Sequence, residues 1–335
     1  MAKSKNISSD AGVFLWMTFQ AMQKAGLDTA AIFSSVNLPN ESPDLTVRRD
    51  NSTQQRFWDA AERVSGDRDI GLRIGALMPP FRGQIMEYLF LSSPTFGEGL
   101  QRTIRYHHLL TDALTFELRV EGETAILTGL DHPVRHYQEL AMAILLKFFR
   151  YVSEDAFQPN EIWLHHREGA AAEHYQQVYG CPVHLNMPET SIRFSARLLE
   201  RPSPAAEPQL LQMHESVAER YLVDLKKREL IDRVEHELGG LLEQGTVGLE
   251  IVAAQLGRSP RALRAELQQI GTHFNEVVAA YRERLARRLL SRTQESIDQI
   301  VYLTGFSEPS AFTRAFKRWT GETPTDYRRR KQNER

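Results

Sequence analysis

Two places in the last third of the chain combine a turn glycine with hydroxyl and guanidinium groups. In the first, Gly257 precedes Ser259-Pro260 and then Arg261, Arg264 and Ala265. In the second, Gly305 precedes Ser310, Thr313, Arg314, Lys317 and Arg318, with Arg328, Arg329, Arg330 and Lys331 further on. A guanidinium is a planar fork of donors. It can grip the O6 and N7 edge of guanine bidentately, or pair with phosphate oxygens, which fixes position without reading sequence. The charge balance agrees. Residues 245–335 hold 16 Lys and Arg against 10 Asp and Glu, net +6, whereas residues 1–244 hold 25 against 33, net −8. A basic end on an acidic protein points to a polyanionic partner for that end alone.

Positioning such groups takes short helices set across a tight turn. Ile251, Val252, Ala253 and Leu256 give one helix an apolar stripe, Gly257 ends it, and Ser259 as N-cap with Pro260 at the first helical position starts the next. Leu263 and Leu267 then fall inward, and the small Ala253 permits a close crossing. The pattern returns with Ile297, Ile300, Val301 and Leu303 before Gly305-Phe306, where Ser307 is read as the N-cap and Phe312 and Phe316 as the buried pair. These are two helix-turn-helix units, about 250–270 and about 297–320. The helix predicted between them, Phe274–Arg292, is roughly 28 Å long, close to the ~34 Å between successive major grooves. Charged helix positions often form nothing more than a solvated face, but a solvated face does not call for two glycine turns with matching apolar spacing.

Gly305-Phe306-Ser307, Ser310, Phe312, Arg314, Phe316-Lys317-Arg318, Gly321, Thr323-Pro324 and Tyr327-Arg328 fill a pattern that closely resembles the DNA-binding domain of the AraC/XylS family of bacterial transcription regulators. The strong resemblance spans about 100 residues. It implies an all-α domain over 228–331 whose recognition helices enter successive major grooves. Carried over by position, base contacts fall to Arg261, Arg264 and Ala265, beside Pro260, in the first unit, and to Ser310, Thr313 and Arg314, beside Pro309, in the second. Phosphate contacts fall to Ser259, Lys317, Arg318, Arg328, Arg329, Arg330 and Lys331. Two positions depart from the pattern. Ala265 stands where relatives carry a long polar side chain, leaving base reading in the first unit to Arg261 and Arg264, and Val301 replaces a small residue. The implied partners are double-stranded promoter DNA, RNA polymerase, a second copy of the chain and a small-molecule effector, with no cofactor and no membrane. The implied role is a cytoplasmic transcription regulator, activator or repressor, and not an enzyme.

The remainder, 1–205, reads as an α+β sensor or dimerisation domain, followed by a linker and helix over 206–227. Apolar periodicity predicts helices near 12–25 and 53–64, two more between Gly83 and Leu110 broken at Ser93-Pro94, a buried helix His136–Val152, a helix Gly169–Tyr179 and another about 209–222. Strands are predicted at Thr115–Val120 and Thr124–Gly129 as a hairpin around Glu-Gly-Glu, and at Glu161–His165, Cys181–Leu185 and Ser191–Ser195. The three prolines of 201–208 mark a loop. The segment GLRIGALMPPFRGQIMEYLFLSSPTFGEGLQRTIRY is similar to the N-terminal domain of family members of the ornithine-utilisation and virulence-regulator type, rather than to the sugar-binding β-barrel type. That resemblance names no ligand.

At 335 residues, with 41% hydrophobic and 25% charged residues, the chain is long enough for two domains with their own cores. Its apolar runs are too short for a signal peptide or a membrane span. The adjacent pairs His107-His108 and His165-His166 point to different faces, so neither chelates a metal by itself. Phe148, Phe149 and Tyr151 could line a pocket but fit core packing better, and Gly71-Leu72-Arg73-Ile74-Gly75 lacks the third glycine and preceding strand of a dinucleotide fingerprint. The single cysteine, Cys181, excludes an intramolecular disulfide and reads as a buried hydrophobe. As an alkyl acceptor in a DNA-repair fusion it would lack a neighbouring histidine. A constitutive or architectural DNA-binding dimer without a ligand is the alternative to a ligand-responsive regulator.

Overall fold

The computed structural model describes residues 8–242, 245 and 247–334, and they divide into two compact units meeting between Leu222 and Val223. The first is α+β. Its helices are α1 (Gly12–Lys24), α2 (Thr29–Ser34), α3 (Gln54–Ser65), α4 (Ile70–Leu77), α5 (Ile85–Ser92), α6 (Phe96–Tyr106), α7 (Arg135–Val152) and α8 (Ala172–Tyr179). A two-stranded ribbon joins β1 (Ser9–Asp10) to β2 (Arg49–Asp50). The larger, open sheet has the order β3-β4-β7-β5-β6, from Glu117–Glu121, Thr124–Thr128, Ser191–Ser195, Pro159–Trp163 and Val183–His184 in that order. All its neighbours are antiparallel except β5 and β6.

Helix α7 is the centre of this unit. Met142, Ala143, Leu146, Phe149 and Val152 are all buried, as expected for a helix apolar over most of its circumference. Two glycines of the discounted Gly-Leu-Arg-Ile-Gly run are what let α4 lie against it. A Cβ on Gly71 would stand 2.4 Å from His136 Cα, and one on Gly75 would stand 2.8 Å from Ala143 Cβ. The segment is a helix rather than a phosphate loop, and its glycines serve close packing. Phe90, Phe96, Phe149, Phe157 and Phe194 carry the core from the helices to the sheet, with centroids 5.1–6.2 Å apart in edge-on, tilted and, for Phe96 and Phe157, stacked arrangements.

The expected elements are present, with shifts of one to three residues. The hairpin turn is tighter than predicted: Glu121 pairs with Thr124, so only Gly122 and Glu123 turn, and Gly122 takes φ +61. Strand β5 starts at Pro159, two residues before the prediction. The larger difference lies at the boundary. The helix predicted for 209–222 and the charged segment after it are one helix, α9 (Pro208–Leu242), 35 residues long. Leu211 and Ala218 join the core of the first unit, and Leu230, Val234, Leu238 and Leu241 join a core of the second.

The second unit continues with α10 (Leu249–Gln255), α11 (Pro260–Gln269), α12 (Phe274–Arg292), α13 (Ile297–Leu303), α14 (Pro309–Thr320) and α15 (Pro324–Asn333). It has two cores. One gathers α9, α10, α11 and the start of α12 through Val277 and Val278; the other gathers α13, α14, α15 and the end of α12 through Ala286 and Leu290.

Candidate nucleic-acid interface

Each helix-turn-helix unit is built from its turn outward. In the first, Gly257 takes φ +67, a conformation open to glycine at no steric cost. Ser259 Oγ then accepts the Ala262 N–H at 3.1 Å and Pro260 occupies the first helical position. Leu263 and Leu267 are fully buried, which turns the other side of α11 to solvent. Arg261, Arg264, Ala265 and Gln268 are all exposed there. Arg258 is held apart from this group by its ion pair to Glu266 at 3.0 Å.

In the second unit Gly305 takes φ +70, and space as well as conformation excludes a side chain. A Cβ there would lie 2.7 Å from Leu242 Cδ2 and 3.1 Å from the Leu242 carbonyl. Thr304 is fully buried, its hydroxyl donating to the Ile300 carbonyl at 2.6 Å. Arg282, from α12, donates to the Gly305 carbonyl at 2.9 Å and lies 4.8 Å from the Phe306 ring centroid. The sequence pattern gave no sign that this arginine braces the turn. The N-cap of α14 is Glu308, without a side-chain cap, and not Ser307. Pro309, which has no N–H to lose at the first helical position, supports the start of the helix instead.

Phe312 and Phe316 are fully buried. Phe306 packs edge-on against Phe312 at 5.6 Å, and Tyr327 edge-on against Phe316 at 5.4 Å. This cluster leaves Ser310 and Arg314 exposed and Thr313 half-exposed on α14, with Lys317 and Arg318 exposed toward its end. The basic run of α15 separates by geometry. Arg328 is half-buried and donates to the Glu295 carbonyl at 2.6 Å, tying α15 to the loop before α13. Arg330 pairs with Glu322 at 2.6 Å and Glu334 at 2.9 Å, and Lys331 with Glu334 at 2.7 Å. Arg329 is exposed, its nearest acid Asp326 at 3.7 Å. Surface pairs of this kind are weak and can be exchanged for phosphate, whereas the half-buried Arg328 is held by the fold.

The histidine pairs do not converge. His107 Nδ1 bonds the Ile104 carbonyl while His108 Nδ1 meets Asp112, and His165 faces the Met187 carbonyl while His166 meets Gln138. Among the described residues no group of three His, Cys, Asp or Glu could hold a metal ion. Cys181 is buried, and burial pushes its thiol up to about 11, so it is protonated and a poor nucleophile near neutral pH. No helix among the described residues is long and apolar enough to cross a membrane.

Comparison with known proteins fits this construction. A family model described as the arabinose-binding domain of AraC transcription regulators matches residues 26–203, more than half of the chain, and one described as a helix-turn-helix domain matches 252–330. The chain belongs to the AraC family of transcription regulators. The ornithine utilization regulator of Pseudomonas aeruginosa is 31% identical over 276 residues, 80% of this chain and 81% of that one. The transcriptional regulator VirS of Mycobacterium tuberculosis is 28% identical over 337 residues, 94% of each. The solved regulator CdpR of Pseudomonas aeruginosa aligns with 81% of this chain and 91% of its own, at 21% identity and a TM-score of 0.39. AraC-family proteins of this kind are regulators and not enzymes, and their helix-turn-helix domains bind DNA. The AraC-type N-terminal domain has here an open five-stranded sheet with helices around it.

Proposed function

We propose that this chain is a ligand-responsive transcription regulator that binds promoter DNA as a homodimer, placing α11 and α14 in successive major grooves. The observation that carries this reading is the pairing of two exposed, arginine-bearing helices with the single 19-residue helix α12, which belongs to both of their cores. Base reading falls to Arg261, Arg264 and Ala265 on α11 and to Ser310, Thr313 and Arg314 on α14. Phosphate contacts fall to Ser259, Lys317, Arg318 and Arg329, with Arg330 joining if its surface pairs open. Arg328, held to Glu295, takes a supporting place.

The homodimer reading is supported by an apolar stripe on α9. Leu210, Met213 and Tyr221 are 47%, 63% and 54% exposed, and with Val217 they recur at the spacing of a helix seam. Such a protein would work beside RNA polymerase in the cytoplasm. A genome-wide occupancy map with purified protein, followed by footprinting of one recovered site, tests the reading. We expect protection of two major-groove segments about one helical turn apart per protomer, and an affinity that changes with a metabolite linked to the neighbouring genes. Protection of a single groove segment would sink the two-helix reading, and an affinity unmoved by any such metabolite would leave a constitutive binder.

A further inference from the structure

Two cavities abut inside the first unit, separated by Phe14, Tyr137 and Leu140, which line both. One is a chamber of about 70 Å³ between α1, α5, α6 and α7, walled almost wholly by apolar side chains such as Phe81, Phe116, Ala141 and Phe148. The other, about 260 Å³, reaches the β1–β2 ribbon, where Arg48, Arg49 and Gln54 join Phe57 and Trp58. An apolar space with a few polar groups at one end is the usual make-up of a small-molecule site.

The polar groups of the two cavities are not equally free. Arg48 is spent on the fold: it donates to Ser9 Oγ, to the Ser9 and Leu109 carbonyls and to Asp112. Asp10 is saturated, accepting from Asn51, Gln54, Thr111 and Tyr137. Arg49 differs, since its Nε is buried and has no hydrogen-bond partner among the described residues. The acid that acts on it electrostatically, Asp44, is exposed and has Oδ1 engaged by both the backbone and the hydroxyl of Thr46. In the chamber, His107 Nε2 is likewise buried without a partner. Because His107 Nδ1 lies 2.8 Å from the Ile104 carbonyl, it must be the protonated nitrogen, which leaves Nε2 as a bare acceptor. Burial lowers the pKa of His107, consistent with a neutral ring. Both atoms keep hydrogen-bonding capacity that no described residue takes up, and both belong to residues that line the cavities.

We infer that these cavities form one site for a chain-like monocarboxylate, its carboxylate held by Arg49, its alkyl tail in the chamber, and a hydroxyl on the tail donating to His107. A cationic ligand is disfavoured because the two carboxylates of the larger cavity are engaged, Asp10 by four donors and Asp50 by the backbone and hydroxyl of Ser52. This deepens the effector reading above and rests on it, since it names the chemical class that the regulator would sense.

The test uses the full-length chain and calorimetric titration with octanoate, octan-1-ol and octylamine, below their micellar concentrations. Octanoate should bind in a 1:1 ratio at least tenfold more tightly than the other two, and each added methylene should tighten binding roughly fourfold until the chamber is full. Arg49→Gln should bring octanoate down to the level of octan-1-ol, and Ala141→Phe, which fills the chamber, should abolish the dependence on chain length. Among hydroxyoctanoates with the hydroxyl at successive carbons, one isomer should bind roughly three- to tenfold more tightly than octanoate, a gain that His107→Phe removes. Octanoate binding no better than octan-1-ol, or a preference that survives both Arg49→Gln and Ala141→Phe, would overturn the site. The same preparations are assayed for binding to a mapped promoter. Normal DNA binding without octanoate binding overturns this inference alone. Octanoate binding that leaves DNA affinity unchanged upholds the site and overturns the ligand-responsive reading.

Discussion

The two helix-turn-helix units reach the same shape with different materials. The first has an aliphatic core of leucine, valine and alanine, backed by the preceding helix α9. The second is aromatic, with Phe306, Phe312, Phe316 and Trp319 packed together and the following helix α15 closing it through Tyr327. Aliphatic side chains of similar volume replace one another at little cost, whereas edge-on rings fix both residue type and position. That is why the second unit carries a long residue signature and the first carries mainly a spacing. The part that identifies the family is thus the more rigidly specified half, and the first unit is free to vary around Gly257.

That comparison can be broken most sharply at the turns. Gly257→Ala places a side chain at positive φ in open space and should cost about 1–2 kcal/mol. Gly305→Ala adds a clash with Leu242 and should cost about 2–5 kcal/mol in all. Thermal denaturation of the two variants measures the difference, and equal losses would show that the close approach to α9 does not matter. For recognition, Arg314→Ala should cut specific affinity by about 1–3 kcal/mol and relax preference at one base pair. Arg264→Ala should do the same at a different base pair, one α14 does not touch. Competition binding against single-base operator variants checks both, and loss spread evenly over all variants would reassign either arginine to phosphate.

Smaller effects separate the caps. Ser259→Ala should destabilise the first unit by about 1 kcal/mol through the lost Ala262 bond, while Glu308→Ser should stabilise the second by a few tenths of a kcal/mol or more, because its helix lacks a side-chain cap. Denaturant midpoints would reveal a reversed order. Least of all, Arg329→Ala should lower the slope of log affinity against log salt by about 1 and weaken all sequences alike. Arg330→Ala should lower it less, its guanidinium already being shared between Glu322 and Glu334.

Much of this architecture was legible in the chain because the signals were local. The bounds of α12, the cap at Ser259, the glycine turns and the buried Phe312 and Phe316 follow from spacing and residue type. What escaped depends on distant partners. Nothing near Arg328 in sequence says that it will bond the carbonyl of Glu295, 33 residues away, so it looked like one basic residue in a run of them. Arg282 is hidden in the same way among the arginines of α12. The helix expected over about 209–222 runs on to Leu242, since the charged residues that follow do not end a helix and the segment holds no proline after Pro208. The sequence singled out two chamber residues, His107 and Phe148, but not their role, because an unmatched nitrogen on Arg49 or His107 is known only once every neighbour has been placed.

The span of α12 has one more consequence. Because its start is fixed in one core and its end in the other, the rotation between the two units depends on how many residues lie between Val278 and Ala286. One inserted residue would turn the second unit by about 100° and advance it about 1.5 Å, swinging α14 off the face that α11 presents. Seven inserted residues, close to two full turns, would restore the phase and add about 10.5 Å, or roughly three base pairs of reach along a duplex. The distance between the two halves of a binding site can therefore drift only in quantised steps, and promoters served by such a protein should inherit its periodicity.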